Sequence, residues 1–535
     1  MKIRLIATAA LMAAAGSSHA LSPTAIDAAR TAGTLKEVVI FGASAQTPML
    51  AAYLKNVPCN GAADYDEFWN DAAGKSFRAY SCTMTAASGY PVGTKLLVIK
   101  RDKDGSIYGV NQVANNTAGQ SMVVTDADCS TYNHATTPAA TCGTTAAVTP
   151  IAGISDVEPA LFSKKFKVGT VANQYLNQPD PTTADDVGNL WTVPPAAALN
   201  GLDVASAGQT IFGVAVSKVL RNALQNAQGL AVNSDADADT PSLPRAFIAG
   251  ALSGFVRGGP VANFANWSAV TGVAADNVKN VVVCRRTRGS GTQAVSNAFF
   301  LEMGPLLDTS VGMLAPKASG AAANTDGTPV SGLVVNEGAG TGDVETCLAT
   351  THVSDYALGV VTREKDPLIN GKSYRFVKID GAAPKQAQAR MGAYPMVYTS
   401  SMQWRKTTNA PDALTKSFLI GIRANAVTSN KISLYASSEA KGGLLASPHK
   451  WQVATDTCGT ATDADDAIYG SCVERIDVGD TTYNPAPHVY GGAAYKTTSV
   501  APLHLGKSSS RPPAGPSSGR WHGDRRARPG LALFY

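Results

Sequence analysis

The sequence lacks the features that a metal centre or a membrane span needs. No Cys-x-x-Cys pair is present and the seven histidines are scattered, so the ligand spacing of a zinc site is missing. After residue 20, no apolar run reaches the roughly 20 residues that cross a bilayer. We therefore expect no metal, no cofactor and, after processing, no membrane span.

An excess of one charge is also missing from the body of the chain. The net charge of +5 comes from the two ends, because acidic residues slightly outnumber basic ones between residues 21 and 506. A nucleic-acid-binding surface needs clustered positive charge, so we expect no nucleic-acid partner. The basic stretch at 506–535 is rich in Pro, Gly and Ser, which predicts a disordered tail. This tail is either an arm for anionic surfaces or a fortuitous, out-of-frame extension.

The first 20 residues have the pattern of a secretory signal. Lys2 and Arg4 precede an apolar stretch at 5–15, and the small residues Ser18 and Ala20 suit a cleavage site. A membrane anchor is the alternative, but the apolar stretch is shorter than a bilayer requires. We expect a mature chain that starts near Leu21 and is periplasmic or extracellular (secreted).

Eight cysteines follow, and they fall along the sequence as four neighbouring pairs. An even number in an exported chain favours disulfides. The spacing does not fix their connectivity, since eight cysteines allow about 105 pairings. The neighbours are Cys59 with Cys82, Cys129 with Cys142, Cys284 with Cys347, and Cys458 with Cys472.

Short runs rich in Val, Ile and Leu alternate with amphipathic stretches, which predicts an α/β architecture. Several runs are almost continuously apolar, as buried parallel strands are. We predict strands at 38–41, 95–100, 280–284, 333–335 and 356–361, and helices at 43–54, 216–227, 292–303 and 416–426. Low-complexity stretches predict surface loops at 114–150, 229–242 and 316–330.

Three glycine-containing turns, at 41–48, 104–110 and 285–292, each follow an apolar run. The first and third lead into predicted helices. A helix start offers unpaired N–H groups and the positive end of the helix dipole, and small residues let an anion approach the backbone. Taken singly, the residues in question have commoner roles: Asp156 and Ser290 suit helix caps, and Arg286 suits a surface ion pair.

Four motifs occur in one order along the chain. They are 42–48 (Gly-Ala-Ser-Ala-Gln-Thr-Pro), 105–110 (Gly-Ser-Ile-Tyr-Gly-Val), 153–159 (Gly-Ile-Ser-Asp-Val-Glu-Pro) and 289–292 (Gly-Ser-Gly-Thr), the last with Arg286 four residues before Ser290. This set resembles the phosphate-binding protein of bacterial phosphate ABC transporters, in the type II periplasmic binding protein superfamily. The family has Thr where Gln46 stands, Gly where Tyr108 stands and commonly an acidic residue where Arg288 stands. The likeness runs, with insertions, from about residue 36 to about residue 430.

The resemblance implies an α/β fold with two lobes, of the type II periplasmic-binding-protein kind, with disulfide-bearing loop insertions. The chain would cross between the lobes near 209–216 and 394–400. We expect a signal peptide at 1–20, the first part of lobe 1 at 21–210, lobe 2 at 211–395, the return part of lobe 1 with a C-terminal extension at 396–505, and the tail at 506–535.

The resemblance also implies a set of ligand-binding residues. Hydroxyl and N–H groups would donate to an oxyanion, and Arg286 would add a charge-assisted pair. Asp156 only accepts hydrogen bonds when it is ionised, so it would favour an oxyanion that keeps a proton, as phosphate does and sulfate does not. Arg288 makes the edge of the site more positive and leaves the identity of the oxyanion open. The set is Gln46, Thr47, Ser106, Asp156, Arg286, Ser290, Gly291 and Thr292.

The function implied is reversible capture of a small oxyanion, first of all inorganic phosphate, with an ABC permease as a further partner. We expect no catalysis, because a phosphatase or nuclease needs metal ligands or an activated nucleophile, and neither pattern accompanies these turns. The alternative is a secreted surface or matrix protein that reuses the fold without transport. The large disulfide-bearing insertions motivate this alternative.

Overall fold

The computed structural model describes most of residues 20–427 and three short strands between 444 and 474. Residues 1–19, 176–194, 302–330 and 475–535 lie outside the described residues, as do several shorter stretches. The predicted signal, the tail, the loop at 316–330 and Arg288 therefore fall wholly or almost wholly outside them. Of the fourth pair of neighbouring cysteines, Cys458 and the side chain of Cys472 also lie outside the described residues.

The strands of the described residues are mostly short. They are β1 Leu35–Gly42, β2 Asp66–Trp69, β3 Phe77–Thr83, β4 Lys95–Arg101, β5 Gly119–Met122, β6 Ala139–Thr141, β7 Thr145–Val148, β8 Ala152–Ser155, β9 Lys165–Val168, β10 Val171–Tyr175, β11 Leu202–Val216, β12 Ser242–Leu243, β13 Val281–Arg286, β14 Leu333–Gly338, β15 Ala357–Thr362, β16 Arg375–Phe376, β17 Lys378–Ile379, β18 Val397–Arg405, β19 Leu444–Leu445, β20 Lys450–Gln452 and β21 Cys472–Glu474.

The α-helices lie between these strands. They are α1 Pro23–Thr31, α2 Thr47–Asn56, α3 Gly105–Ala114, α4 Ala196–Asn200, α5 Lys218–Ala227, α6 Arg245–Ser253, α7 Ser268–Thr271, α8 Gly291–Ser296, α9 Thr341–Thr346, α10 Gln386–Arg390 and α11 Ala413–Val427. Within the described ranges, none of the helices has both the length and the apolar character of a membrane span.

Most strands join one 15-stranded sheet, whose main path runs β14-β13-β15-β11-β18-β8-β1-β4-β3-β2-β6. In one half, β1 is parallel to β4 and β8; in the other, β13 is parallel to β14 and β15. The antiparallel strands β11 and β18 join the halves, and β11 is 15 residues long and buried throughout. The carboxyl ends of β8 and β15 therefore point toward each other along this central pair. This arrangement confirms the predicted α/β class.

Apolar clusters pack helices against both halves of the sheet. In one half, Val283 of β13 belongs to a cluster with Phe247 of α6 and with Trp267. In the other, Ile40 of β1 shares a cluster with Phe418 of α11. β-branched side chains such as these valines and isoleucines suit strands, and burial of a large apolar side chain contributes about 1.5–3 kcal/mol each. The cluster of Val283 also contains Ile107 and Val110 of α3, a helix that contacts β1 and β8, so this apolar core reaches across the two halves of the sheet.

Three disulfides of the described residues join cysteines that are neighbours in the sequence. Cys59 pairs with Cys82, Cys129 with Cys142, and Cys284 with Cys347. The last bond fastens the middle of β13 to the residue that follows α9, across a sequence separation of 63 residues. It therefore braces the strand that ends at Arg286.

Several predicted boundaries are wrong. α2 begins at Thr47, not at residue 43, because Pro48 lacks an N–H group and fits in the first helical turn. The predicted helix at 292–303 is α-helical only to Ser296 and continues as a π-helical turn. No helix is predicted after 104, yet α3 begins at Gly105, where left-handed backbone at Asp104 and Gly105 redirects the chain. The supposed loop at 114–150 contains β5, β6 and β7, and only β7 has β-branched residues at both of its ends.

Candidate anion-binding site

Three of the four motifs meet between the two halves of the sheet. The backbone N–H of Ile107, in the first turn of α3, donates to the carbonyl oxygen of Gly289 at 3.0 Å. A Cβ atom added to Gly291 would lie 2.3 Å from Ser106 Oγ and 2.6 Å from Asp156 Oδ2. The first turns of α3 and α8 and the end of β8 therefore form one polar cluster, although their residues are up to about 185 positions apart in the sequence.

Asp156 is the most informative side chain of this cluster. Its backbone N–H donates to Ser106 Oγ at 3.1 Å, and both residues are buried. Its carboxylate oxygen Oδ1 is buried and has no hydrogen-bond partner among the described residues. Burial raises the pKa of this carboxyl to about 6, against the opposing effects of the Arg286 charge and the Ser106 hydrogen bond. Such an acceptor is ready for a donor that the protein itself does not supply.

Arg286 supplies the positive charge of the cluster from the end of β13. Its Nη1 donates to Thr341 Oγ1 at 3.0 Å and its Nη2 to the carbonyl oxygen of Ala339 at 2.7 Å. Its Nε is buried and has no hydrogen-bond partner in the described part of the chain. Burial lowers its pKa, whereas Asp156 and Asp343 raise it. Two bonds thus hold the guanidinium in place while some of its five N–H groups remain unused.

The turn at 289–292 contributes the start of α8. Ser290 is the N-cap, and its Oγ accepts a long hydrogen bond of 3.5 Å from the N–H of Gln293. The capping role foreseen as an alternative for Ser290 is therefore present. Gly291 and Thr292 are the first two residues of the helix, and Thr292 is buried. The site combines hydroxyl groups, the N–H groups of a helix start and one guanidinium, which is a donor set suited to an oxyanion.

The structure gives Gln46 and Thr47 partners within the protein. Gln46 Nε2 donates to Thr210 Oγ1 at 2.7 Å and to Ser400 Oγ at 2.8 Å, which lie on β11 and β18. Thr47 Oγ1 donates to Asp102 Oδ1 at 2.8 Å, and its N–H donates to a backbone carbonyl oxygen of its own turn. The N–H and hydroxyl groups of Thr47 thus have partners in the ligand-free protein, whereas Gln46 Oε1 is buried with no hydrogen-bond partner among the described residues. The ligand-binding role of Gln46 and Thr47 stays a prediction.

A buried lysine that sequence reasoning missed lies behind the site. Lys100 is fully buried, and its Nζ donates to Asp102 Oδ1 at 2.6 Å and to the carbonyl oxygens of Gly42 at 2.8 Å and Arg101 at 3.0 Å. Its charge favours the ionised form of Asp156. The signal in the sequence is a lysine that directly follows the apolar run at 96–99. Such a lysine needs a carboxylate and carbonyl oxygens around it.

The described residues contain no group of three or more His, Cys, Asp or Glu side chains arranged to hold a metal ion. Arg288, which the sequence places at the edge of the site, is outside them.

No protein-family model and no curated protein matches the sequence. Among solved structures, the chain is similar to an ABC-type phosphate transport receptor from Vibrio cholerae (12% identity, TM-score 0.34, covering 77% of this chain and 100% of the other). It is also similar to a phosphate-binding protein from Stenotrophomonas maltophilia (15%, 0.38, 77% and 90%) and to a DING protein (11%, 0.39, 82% and 100%). At these identities and TM-scores the likeness carries no argument about function.

The chain's own strand order defines its class. It is a mixed α/β protein with one large sheet in two halves, which the antiparallel strands β11 and β18 join. The residues that could bind a ligand lie where the two halves meet.

Proposed function

We propose that the protein is an exported solute-binding protein that captures inorganic phosphate, or a closely related oxyanion, between two lobes without chemical turnover. One observation carries the proposal: Asp156 Oδ1 is a buried acceptor with no partner in the described chain, beside the buried charge of Arg286. An anion site with an acceptor inside it selects for an anion that still carries a proton. The lobe boundaries and crossings given above belong to the proposal.

The energetic argument separates phosphate from sulfate. A buried hydrogen-bonding group that stays unpaired costs about 1–3 kcal/mol, and a carboxylate facing a bare anionic oxygen costs more. Hydrogen phosphate offers a P–OH group to Asp156 while its remaining oxygens accept from Arg286, Ser106 and the start of α8. Sulfate has no proton to offer near neutral pH. We therefore expect a preference for phosphate, and for arsenate as its isostere, of at least about tenfold over sulfate.

Export is supported by two features of this chain. The first 20 residues have the pattern of a secretory signal, and three disulfides are present in the described residues. Disulfides persist in oxidising compartments such as the bacterial periplasm. An ABC permease is the partner that this function would serve, and fractionation of the expressing cells would distinguish periplasmic from fully secreted protein.

Isothermal titration calorimetry of the mature protein with phosphate, arsenate and sulfate tests the proposal. We expect heat and a single site for phosphate and arsenate, weak or no heat for sulfate, and a smaller phosphate-to-sulfate ratio in Asp156→Asn. An absence of heat with all three anions would contradict the proposed function. An unchanged ratio in Asp156→Asn would remove the role of Asp156 in recognising the proton. Incubation with a phosphomonoester should release no phosphate.

A further inference from the structure

A second buried carboxyl group, that of Glu364, lies two residues after the end of β15 and lacks a complete set of partners. Its Oε1 accepts from Thr362 Oγ1 at 2.5 Å. Its Oε2 is buried and has no hydrogen-bond partner among the residues that the structure describes, and the residue is only 5% exposed. Asp156 and Glu364 thus each carry one buried carboxyl oxygen that no described group satisfies.

The topology places Glu364 at the same end of the sheet as the anion cluster. The N–H of Arg363 donates to the carbonyl oxygen of Ile211 at 2.8 Å, which is where β15 leaves the crossing strand β11. Because β13 and β15 are parallel, with Cys284 beside Gly359, their carboxyl ends share one edge, and Arg286 ends β13 there. The charge of Asp156 reaches Glu364 from across this edge.

The positive charges near Glu364 do little to stabilise its ionised carboxylate. Arg363 is paired with Asp366 at 2.8 Å and Lys100 with Asp102 at 2.6 Å. Burial raises the pKa of Glu364 to about 7, against the opposing effects of the Lys365 charge and the Thr362 hydrogen bond. The charged groups that act on Glu364 are Lys365 on its own segment and Asp156 from the other half of the sheet. The nearby Tyr374 is influenced by Glu345, Glu364 and Asp366. Asp156 in turn is influenced by Arg286, Lys100 and Asp102.

We propose that Glu364 is a specificity-determining residue of the anion site between the two halves of the sheet. Its carboxyl group is protonated in the complex, so that capture of the oxyanion takes up one proton. The inference rests on the proposed function. Asp156 and Glu364, both ionised, would add two negative charges beside a dianion, against the charge of Arg286 near Asp156 and of Lys365 near Glu364. A proton from solvent on Glu364 Oε2 removes one negative charge and converts an unsatisfied acceptor into a donor to the oxyanion.

This proton uptake has a definite pH signature. Above the pH at which free Glu364 ionises, each pH unit makes the proton about tenfold harder to supply, so phosphate affinity falls about tenfold per unit. If Asp156 alone recognises the proton of hydrogen phosphate, the affinity is flat over the same range, because that form of the ligand already predominates. In Glu364→Gln the neutral amide donates without a proton, so the slope disappears while binding remains.

The experiment is calorimetry with inorganic phosphate between about pH 7.5 and 9, in two buffers of different ionisation enthalpy, since the difference in observed heat counts protons. We expect wild type to take up nearly one proton per phosphate and to lose about tenfold in affinity per pH unit. Glu364→Gln should take up none and bind with a constant affinity. The matched control is Glu345→Gln, because Glu345 is buried but accepts from Tyr374 at 3.0 Å, and it should keep the wild-type slope.

A second variant tests the same proposal if Glu364→Gln folds poorly. Thr362→Val removes the hydrogen bond that favours ionised Glu364, so the pH range of the tenfold slope should move upward. Phosphate binding by wild type without proton uptake, or an unchanged slope in Glu364→Gln, overturns the role of Glu364 and leaves the proposed function standing. No phosphate binding by wild type at any pH overturns both.

Discussion

The backbone N–H of Asp156 donates to Ser106 Oγ at 3.1 Å, while the Asp156 oxygen Oδ1 has no hydrogen-bond partner among the described residues. Ser106 lies in the first turn of α3 and Asp156 directly after β8, so one hydrogen bond joins two of the motifs. This bond fixes the main chain of Asp156 and leaves one side-chain oxygen available. The pair therefore holds an acceptor in a defined place at a cost in stability, and that cost can be measured.

Asp156→Asn should stabilise the ligand-free protein at high pH. The folded-state pKa of about 6 is raised above the ordinary value of 3.8. Folding therefore favours the protonated form, and stability falls as the pH rises from about 4 through about 6. Above that range wild type should be destabilised relative to Asp156→Asn by up to about 3 kcal/mol, with little difference near pH 4. Urea unfolding at both pH values measures this, and a less stable variant at pH 8 would reveal a partner for the ionised carboxylate.

Arg286→Lys should weaken phosphate binding strongly although it keeps the charge. The guanidinium holds Thr341 and Ala339 with two of its nitrogens and presents further N–H groups, and a lysine ammonium cannot reproduce this fork. We expect a loss of roughly 2 kcal/mol, or about thirtyfold in affinity. Calorimetry measures the loss, and the matched control is Arg285→Lys on the same strand. Arg285 pairs with Glu337 at 3.0 Å, so equal losses in the two variants would contradict a ligand-binding role for Arg286.

Gly291→Ala should disrupt the cluster by steric overlap. The new Cβ would lie 2.3 Å from Ser106 Oγ and 2.5 Å from Asp156 Cβ, so the first turns of α3 and α8 must separate. We expect destabilisation by about 1–3 kcal/mol and loss of tight anion binding. Gly342→Ala is the control, because its Cβ would meet no atom within 4 Å in the equally short helix α9. Thermal unfolding and calorimetry compare the two, and tight binding by Gly291→Ala would show that the cluster can open without loss of the site.

Removal of the Cys284–Cys347 disulfide by a double change to serine should cost stability and affinity together. A lost disulfide destabilises a protein by about 2–5 kcal/mol, more for longer loops. The Cys129–Cys142 bond spans 13 residues against 63, so its removal should cost roughly 1 kcal/mol less. Only the first bond braces β13, which ends at Arg286, so only its loss should also weaken phosphate binding. Urea unfolding measures the stability of both variants, and calorimetry measures their phosphate affinity. Equal effects on phosphate binding would contradict a role of the Cys284–Cys347 disulfide in holding Arg286.

Local sequence patterns were sufficient to predict the α/β class. The resemblance to phosphate-binding proteins named Ser106, Asp156, Arg286 and Ser290 together, and the structure brings their motifs close to one another at the ends of strands, while their role in binding a ligand stays a prediction. The three disulfides join cysteines that follow one another in the order of cysteines along the chain, across separations of 23, 13 and 63 residues.

The partners and burial of some residues depend on long-range contacts, and the sequence did not predict them. Gln46 reaches Thr210 and Ser400, 164 and 354 positions away, and no local pattern announces such partners. Lys100 and Glu364 are charged groups that become buried only because of distant neighbours, so their sequence context does not reveal their environment. A pattern gives the side of the sheet on which a residue lies, but not which distant group will meet it there.

The hydrogen bond from the N–H of Ile107 to the carbonyl oxygen of Gly289 closes the ligand-free molecule across the cluster. Ser106, Asp156 and Arg286 are all less than 5% exposed behind it. We expect an anion to reach them only after this contact opens. The association rate constant for phosphate should then report the rate of spontaneous opening, and it should respond little to salt and much to substitutions that strengthen or weaken this contact.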